Sequence, residues 1–381
     1  MENARKKVLI ACDSYRSLLG FRGKLMEDLS KSCDVAVFTP TIKQDQIRQT
    51  LDRMGITIYE NNLDGSNVSI FSDLVYISAL FKVIRNAKPD VFFPYTFKPV
   101  IYGAMVARAC RVKRIVPMLT GLGYNFMNDK NNLIVKNITR ILLKASLNTG
   151  ENLRLILQNR DDYQTLLNAR VINKGTQAFV VNGSGVDLSY YNYTDAENQS
   201  PVFLMIARLI NAKGIREYYE AANLLLKDHP HAKFKLIGPR DYNIDAIPED
   251  LYNQIISNRI VEYLGEVNDV RPYIKSASVV VLPSYYGEGV PRCLLEAMAM
   301  GRAIITCDSV GCKETVDISD NHRSGFLVPV KNVNVLAEKM RHFIEHPQDA
   351  IVFGRNGREY AMDKFDVNKV NAQMLKILHV H

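Results

Sequence analysis

Short apolar runs alternate with longer amphipathic stretches along most of the chain. Runs that are apolar at consecutive positions predict strands buried on both faces, and the stretches between them predict helices with one apolar side. This alternation is typical of a parallel sheet covered by helices on both faces. In the first half, the predicted strands are residues 8–12, 35–39, 91–94, 114–119, 154–158 and 179–181, and the predicted helices are residues 23–32, 44–54, 72–87, 101–110 and 161–167.

A polar, tyrosine-rich segment without periodicity, residues 188–200, interrupts the pattern and marks a junction. The alternation then restarts, with predicted strands at 202–206, 234–237, 261–263, 279–282 and 303–306 and predicted helices at 215–227, 270–276, 292–300 and 335–345. The sequence therefore predicts an α/β protein of two tandem Rossmann-like, doubly wound domains facing a cleft. We expect an N-terminal domain at 1–190, a C-terminal domain at 200–365 and a last helix at 366–381. Ligands of such sheets bind beyond the carboxyl ends of the strands, near the point where the strand order reverses.

The composition fits this architecture and excludes some classes of protein. A chain of 381 residues, 47% of them hydrophobic, is long enough for two domains with sizeable cores. No apolar run is long enough for a transmembrane helix, and the short run after the charged N-terminus predicts a first strand rather than a signal peptide. The six cysteines form no Cys-x-x-Cys pair and are expected to be reduced core residues of a cytoplasmic protein.

The positive charge is concentrated in the first half. The net charge is +8, yet residues 201–381 are balanced, so the excess lies in residues 1–200, where the stretch 108–144 holds eight basic residues and one acidic residue. This half is suited to an anionic partner or surface, although a solvated basic face without function is the alternative. No nucleic-acid-binding motif is present, so nucleic acid is not an expected partner.

The segment 133–147 combines an apolar stripe with basic residues on its other side. It is a candidate for contact with an anionic membrane surface, and an ordinary helix packed on the core is the alternative. The stripe comprises Leu133, Ile134, Ile138, Ile141, Leu142 and Ala145, and the basic side comprises Lys136, Arg140 and Lys144.

Two glutamates eight positions apart carry the clearest chemical signal. Glu288 lies on a glycine-rich turn, and Glu296 lies within an apolar predicted helix. Because a buried carboxylate has a large desolvation cost unless something pairs with it, Glu296 is expected to face a pocket or a polar ligand. Gly289 and Val290 precede Pro291 at the predicted helix start, where backbone amides can meet sugar hydroxyls or phosphate oxygens. Two solvated glutamates are the alternative.

An arginine and a lysine follow the predicted strand 202–206. Arg208 and Lys213 precede a predicted helix, so both cations and the positive end of that helix can meet one diphosphate. The chain contains no Asp-x-Asp, which argues against a metal bridging the diphosphate, and no cysteine and histidine cluster has zinc spacing. We therefore expect neither a metal nor a cofactor. A surface pair is the alternative for this motif taken alone.

The predicted N-terminal domain offers weaker signals. Gly20 precedes a predicted helix and would permit close backbone approach to a phosphate, with a simple turn as the alternative. The full Gly-x-Gly-x-x-Gly fingerprint is missing, which argues against an NAD enzyme. Four residues after predicted strands are acceptor-site candidates, although ordinary loop chemistry explains them equally well: Lys98, Thr120, Gly121 and Tyr124.

These motifs together resemble the retaining glycosyltransferases of family 4, which have two Rossmann-like domains in the GT-B fold. The resemblance covers nearly the whole chain and is strongest in residues 202–330. The bacterial subgroup that it resembles extends undecaprenyl-diphosphate-linked glycans for O-antigen, capsule or protein glycosylation. It implies a UDP-sugar donor, a lipid-diphosphate-linked glycan acceptor, and a peripheral position on the inner face of the cytoplasmic membrane, contacted through the basic N-terminal domain. The segments that carry it are 20–24, 120–124, 182–187, 207–214, 265–266, 283–301, 311–315 and 324–329.

The resemblance also implies roles for the candidate residues. The last helix would cross back to the first domain. Arg208 and Lys213 would hold the donor diphosphate and stabilise the leaving UDP. Glu288 would bind the hydroxyls of the donor sugar, and Glu296 would bind the ribose. Backbone contacts to the donor would come from Gly289 and Val290, and Gly20 would approach the phosphates.

Three departures from the family pattern bear on the site. Many family members carry a histidine about where Thr120 stands, and many have a Gly-Gly pair where only Gly20 matches. An additional residue at 285–287 would reshape the donor-sugar pocket.

Two other functions share the fold, a UDP-sugar 2-epimerase and a non-catalytic scaffold subunit. The Glu288 and Glu296 motif argues against the first, and the intact set of charged residues argues against the second.

Overall fold

A computed structural model of the chain describes residues 5–62, 70–126, 133–148, 150–196, 201–243 and 245–380. The chain divides into two units. Unit 1 comprises residues 1–184 and 369–381, and unit 2 comprises residues 185–368.

Unit 1 is built on five parallel strands in the order β3-β2-β1-β4-β5, with a parallel pair, β6 and β7, bridged to it at Met118 and Ile156. The strand order reverses between β1 and β4. The strands are β1 (Lys6–Ala11), β2 (Cys33–Pro40), β3 (Thr57–Asn61), β4 (Val91–Pro94), β5 (Arg114–Ile115), β6 (Leu155–Leu157) and β7 (Ala178–Val180). The helices are α1 (Arg16–Ser30), α2 (Asp45–Arg53), α3 (Ile70–Ala87), α4 (Phe97–Ala109), α5 (Leu133–Leu147) and α6 (Arg160–Asn168).

Helices cover both faces of the unit 1 sheet because the central strands are apolar at consecutive positions. Successive side chains of a strand point to opposite faces. Val8 and Ile10 of β1 accordingly belong to one core cluster, and Leu9 and Ala11 belong to another.

Unit 2 has six parallel strands in the order β10-β9-β8-β11-β12-β13, which reverses between β8 and β11. Strands β11 and β12 are buried at every position. The strands are β8 (Val202–Ile206), β9 (Lys233–Ile237), β10 (Glu262–Tyr263), β11 (Val279–Leu282), β12 (Ala303–Cys307) and β13 (Gly325–Val328). The helices are α7 (Ile215–Leu226), α8 (Glu249–Ser257), α9 (Arg271–Ser276), α10 (Arg292–Ala299), α11 (Val333–Glu345) and α12 (Pro347–Lys364).

The last helix, α13 (Val367–Leu378), packs into the core of unit 1. Its Asn371 Nδ2 donates to Asp28 Oδ2 at 3.0 Å, and the carbonyl of Ile377 accepts from Arg154 Nη1 at 3.2 Å. Val370 and Met374 are buried in the same cluster as Leu25, Met26 and Leu29 of α1.

Three predicted boundaries in unit 1 are wrong by four residues or more: the starts of α1 and α4, which begin at Arg16 and Phe97 rather than at 23 and 101, and the end of the strand predicted at 114–119. Helix α1 begins at Arg16, so the segment before residue 23 is helical and Gly20 lies inside the helix. Its buried residues Leu18, Leu25 and Leu29 recur at helical spacing, and their burial outweighs the poor helix propensity of two glycines. The predicted strand 114–119 is a regular strand only at Arg114–Ile115. Beyond it the Val116 and Met118 amides still donate to the carbonyls of Phe92 and Pro94, and Pro117 has no backbone amide to donate.

The apolar stripe predicted for the segment 133–147 lies mainly on the solvent-exposed face of helix α5. Ile134 is 76% exposed and Ile141 is 67% exposed, while Leu143 and Leu147 are buried and belong to the core. Arg140 lies on the Phe126 ring, 5.0 Å from its centre. In the part of the chain that the structure describes, no helix has the length and apolarity needed to cross a membrane.

Candidate functional site

The loops that follow β8 and β11 meet at the carboxyl edge of the unit 2 sheet. These strands are neighbours, and the strand order reverses between them, which is the position where doubly wound sheets bind ligands. The Tyr285 and Tyr286 amides of the second loop donate to the carbonyl of Ala212 in the first, at 2.9 Å and 3.1 Å, and Ser284 Oγ lies 3.2 Å from the same oxygen. The two loops therefore form one polar structure.

Gly214 allows this approach. Its φ of +79° lies in the left-handed region, and a Cβ there would stand 2.3 Å from the carbonyl oxygen of Pro283. Any larger residue at 214 would push the two loops apart, and with them the side chains of Lys213 and Ser284.

Lys213 and Glu288 form an ion pair where the loops meet. Their side chains are 15% and 12% exposed, and Ser284 Oγ also donates to Glu288 Oε1 at 3.0 Å. Burial lowers the pKa of Lys213, but the adjacent Glu288 carboxylate more than offsets this and leaves the pKa raised. The ammonium is therefore charged at neutral pH and is held in one place.

Arg208 lies at the end of β8 on a more open surface. Its Nη1 is 3.0 Å from Asp241 Oδ2, and its side chain is 49% exposed. Burial raises the pKa of Tyr286, whereas the charges of Lys213 and Arg208 both oppose that rise. Lys213 Nζ lies 5.4 Å from the centre of the Tyr286 ring, and both cations follow the end of β8.

Glu296 is buried on α10, one turn beyond the helix start. Its Oε1 accepts from Arg292 Nε at 2.7 Å and from the Tyr191 hydroxyl at 2.8 Å. Burial lowers the pKa of Arg292, but Glu296 leaves the net pKa raised, so this guanidinium stays charged. Arg292 and Tyr191 thus fix the orientation of the Glu296 carboxylate. The sequence predicts only that this residue lies on an apolar helix.

The turn that carries Glu288, Gly289 and Val290 rests on the loop after β12. Ser309 Oγ donates to the carbonyl of Ser284 at 2.8 Å. Gly311 has φ +78°, and a Cβ there would stand 2.3 Å from the carbonyl of Gly289. This backbone contact holds the turn in place directly before α10.

The unit 1 candidates lie at its own sheet edge. Gly121 has φ +120°, which requires glycine, and Thr120 precedes it just beyond the bridge between Tyr95 and Met118. Lys98 Nζ is 3.0 Å from Asp73 Oδ1. Tyr124 falls in a 3₁₀ turn, Gly123–Phe126.

Gly20 does not lie in the loop before a helix that the sequence predicts. It is an exposed residue inside α1, and a Cβ added there meets nothing within 4 Å. The backbone of α1 therefore does not require glycine at this position.

Sequence reasoning missed four residues that touch the site: Ser284, Tyr191, Arg292 and Asp241. Ser284 follows β11 by two positions, so its place at the strand end was a usable signal. Tyr191 lies in the segment interpreted as a junction, and nothing local marks it as a partner of Glu296. Within the described residues, no three His, Cys, Asp or Glu side chains are grouped to hold a metal ion.

Two family models match the chain. The model described as Glycosyl transferases group 1 matches residues 200–346, and the model described as Glycosyl transferase 4-like matches residues 19–150. The chain is 27% identical over 377 residues to the N,N'-diacetylbacillosaminyl-diphospho-undecaprenol alpha-1,3-N-acetylgalactosaminyltransferase of Campylobacter jejuni, with 95% of each chain covered. It is 25% identical over 282 residues to the UDP-Gal:alpha-D-GlcNAc-diphosphoundecaprenol alpha-1,3-galactosyltransferase of Escherichia coli, with 70% of each chain covered.

Solved structures resemble the whole chain. Anabaena HepE in complex with UDP-glucose has a TM-score of 0.76 at 18% identity, covering 98% of this chain and 100% of that one. Sucrose-phosphate synthase from Thermosynechococcus elongatus has a TM-score of 0.78 at 18% identity, covering 98% of each. These likenesses, with the two parallel sheets, confirm the fold class predicted from the sequence.

Proposed function

Since the chain belongs to the group 1 glycosyl transferases, we propose that it moves a hexose or N-acetylhexosamine from a UDP-sugar to a lipid-diphosphate-linked glycan. The observation that carries this proposal is the buried pair of Lys213 and Glu288 at the reversal point of the unit 2 sheet. The names of two relatives support the class of acceptor, because both are transferases to diphosphate-linked undecaprenol sugars.

The proposed chemistry follows from where charge develops. The bond between the anomeric carbon and the UDP oxygen breaks, and its electron pair leaves with UDP. Lys213 and Arg208 stabilise that growing negative charge more in the transition state than in the ground state, which lowers the barrier. The acceptor hydroxyl attacks the anomeric carbon from the face that UDP leaves, so the configuration is retained, and a phosphate oxygen of UDP takes the proton.

The remaining unit 2 residues position the donor in this proposal. Glu288 accepts hydrogen bonds from sugar hydroxyls, with Ser284 holding the carboxylate from behind. Glu296 accepts from the ribose diol, in an orientation set by Arg292 and Tyr191. The amides of Gly289 and Val290 contact the sugar or the phosphates. No metal or other cofactor takes part, so activity should persist in EDTA.

We assign membrane contact to α5. Its outer face exposes Leu133, Ile134, Ile138 and Ile141 beside the cations Arg140 and Lys144. Apolar side chains next to basic ones suit the boundary of an anionic bilayer, where a lipid-linked acceptor would be found. We propose that the enzyme lies on the inner face of the cytoplasmic membrane, in contact with anionic lipid.

A vesicle assay tests the membrane assignment. Ile134→Glu should reduce sedimentation with anionic vesicles, whereas Ile256→Glu, at an exposed isoleucine of α8 in unit 2, should not. Equal sedimentation of both variants with the wild type would refute the assignment.

A transfer assay tests the enzymatic proposal. The protein is incubated with each common UDP-sugar and a prenyl-diphosphate-linked N-acetylhexosamine, and products are followed by mass spectrometry and by the anomeric coupling in NMR. A product with the anomeric configuration of the donor is expected. Conversion of donor without acceptor would favour the epimerase, and neither conversion nor transfer with any donor would refute the proposal.

A further inference from the structure

The positive charge of unit 1 is concentrated on three consecutive helices. Helices α3, α4 and α5 hold seven basic residues and one acidic residue, Asp73, which pairs with Lys98 at 3.0 Å. Helices α1, α2 and α13, which pack on the other face of the sheet, hold seven basic and four acidic residues. The surface formed by α3, α4 and α5 is therefore the more complementary of the two to an anionic partner.

Helix α3 exposes apolar side chains at its N-terminal end. Phe71 is 79% exposed, Leu74 is 59% exposed and Val75 is 48% exposed, and we call these three residues the α3 patch. The opposite side of the helix is apolar too, because Tyr76 and Leu80 are buried in a core cluster. A surface helix of a globular domain normally has one apolar side, so a second apolar side indicates a further partner.

The α3 patch and the exposed apolar face of α5 lie on either side of α4. Ala104 and Ala107 of α4 share a core cluster with α3, whereas Val100 and Ile101 of α4 share one with α5. Each of the three helices follows a strand of one parallel sheet, so their N-terminal ends point the same way. Both apolar surfaces begin at these ends. Helix axes in contact lie about 8–10 Å apart, so the two surfaces are about 16–20 Å apart.

We propose that the α3 patch is a second contact with the anionic membrane, so that unit 1 rests on lipid through two parallel helices. This inference rests on the membrane contact proposed above for α5. Apolar side chains of such helices enter the boundary between headgroups and acyl chains, and the surrounding cations attract anionic headgroups. One helix in this boundary leaves the protein free to rotate about the helix axis. Two helices on either side of α4 fix the angle between the sheet and the bilayer.

Charge favours lipid over a second copy of the chain as the partner of the α3 patch. Lys82 and Arg85 lie at helical spacing from Phe71 and Val75, on the same side of α3. In a twofold dimer the same surface lies on both sides of the interface, so these cations would face their own copies. Like charges across an interface are unfavourable, whereas the same cations are attracted to anionic headgroups.

Fluorescence can test the contact directly, because the chain has no tryptophan and an introduced one reports only its own position. The variants Phe71→Trp and Ile134→Trp are mixed with vesicles of equimolar phosphatidylglycerol and phosphatidylcholine. Emission of both should shift to the blue, and phosphatidylcholine brominated in its acyl chains should quench both. The matched control is Phe21→Trp, at a phenylalanine of α1 that is 46% exposed on the other face of the sheet, and it should show neither effect.

A charge placed in the α3 patch tests its role in transfer. Phe71→Glu should weaken binding to the anionic vesicles about tenfold, because an apolar ring no longer leaves water. Transfer to a prenyl-diphosphate-linked N-acetylhexosamine embedded in those vesicles should fall by a similar factor. Transfer to the farnesyl analogue in solution should change by less than about twofold, since that reaction needs no membrane. Ile256→Glu, on α8 of unit 2, should match the wild type in all three assays.

The outcomes separate this inference from the proposed function. Quenching of Ile134→Trp without quenching of Phe71→Trp overturns the α3 contact alone. Quenching of neither removes both membrane contacts, whereas absence of transfer to the soluble acceptor by the wild type counts against the enzymatic proposal. Equal losses with soluble and embedded acceptors in Phe71→Glu overturn the α3 contact, since the residue would then act through the fold. A wild-type dimer that Phe71→Glu turns into a monomer would assign the α3 patch to a second copy instead.

Discussion

Replacement of Lys213 by methionine separates a catalytic role from a structural one. Lys213→Met leaves the Glu288 carboxylate buried without its counter-ion, while the hydrogen bond from Ser284 is retained. Breaking a buried pair costs about 3–5 kcal/mol, and the retained hydrogen bond favours the lower end, about 3 kcal/mol. For a unit of this size that corresponds to a Tm lower by roughly 6–12 °C. Loss of a preorganised charge at the leaving group should lower kcat by about 10²–10³-fold.

The double variant Lys213→Met with Glu288→Gln distinguishes the two effects. Neutralising both partners removes the stranded charge, so stability should return to within about 1 kcal/mol of the wild type. Turnover should not return, because the fixed cation at the leaving group is still absent and only Arg208 remains to stabilise the departing UDP. The matched control is Lys364→Met, which breaks the 2.9 Å pair with Glu314 in the same unit and should cost some stability with turnover near normal.

Differential scanning calorimetry and initial-rate transfer assays at saturating donor measure the two quantities, with rates taken well below each Tm. If the double variant recovered both stability and turnover, Lys213 would be only the structural counter-ion of Glu288. Turnover near normal in Lys213→Met would refute the phosphate role directly.

Three further variants test other residues. Glu296→Ala should weaken UDP binding at least about tenfold in titration calorimetry if its carboxylate holds the ribose, and an affinity equal to the wild type would remove it from the donor site. Gly20→Ala should stabilise α1 by about 0.5–1 kcal/mol, because the added Cβ meets nothing, and should raise the UDP-sugar KM through the predicted approach to the phosphates. A raised Tm with an unchanged KM would exclude that approach. Burial raises the pKa of Asp162 to about 7, so wild-type stability should fall as pH rises from 4 to 7, whereas Asp162→Asn should lack this fall in urea titrations. The same slope in both proteins would contradict the assignment.

Strands buried on both faces were predictable because burial leaves a run of apolar residues. The runs at 202–206 and 279–282 coincide with β8 and β11 in the structure. Edge strand β3 was missed, since Thr57–Asn61 is largely polar and only its last residue is buried. Local sequence carries little information about such a strand, because its pairing with β2 is a long-range property.

The helix α1 shows how tertiary packing can override a local signal. Gly20 and Gly23 favour a loop by propensity, and the pattern alone led to a helix start at residue 23. Burial of Leu18 and Arg22 against the sheet extends the helix back to Arg16. The positions of glycines therefore predict the start of a helix poorly when the helix face that packs on the sheet is not known.

The candidate site was predictable as a set of residues but not as a set of partners. Lys213 and Glu288 were singled out for different reasons, 75 positions apart in the chain. Their pairing depends on the reversal of strand order and on Gly214, which allows the two loops to touch. Tyr191 could not be assigned at all, because its partner Glu296 lies 105 positions away.

Arg208 and Lys213 each pair with a different carboxylate, and the two pairs differ in burial. This difference predicts different roles for the two cations toward the donor diphosphate. Arg208 is half-exposed, and a surface pair such as that with Asp241 is worth about 0–1 kcal/mol, so the guanidinium can exchange a carboxylate for a phosphate at little cost. Lys213 is buried and fixed by Glu288, so its charge is already in place when UDP departs. Arg208 therefore adds to binding of the donor as well as to stabilisation of the transition state, whereas the fixed Lys213 adds mainly to the latter. Loss of Arg208 should raise the donor KM and lower kcat, and loss of Lys213 should lower mainly kcat.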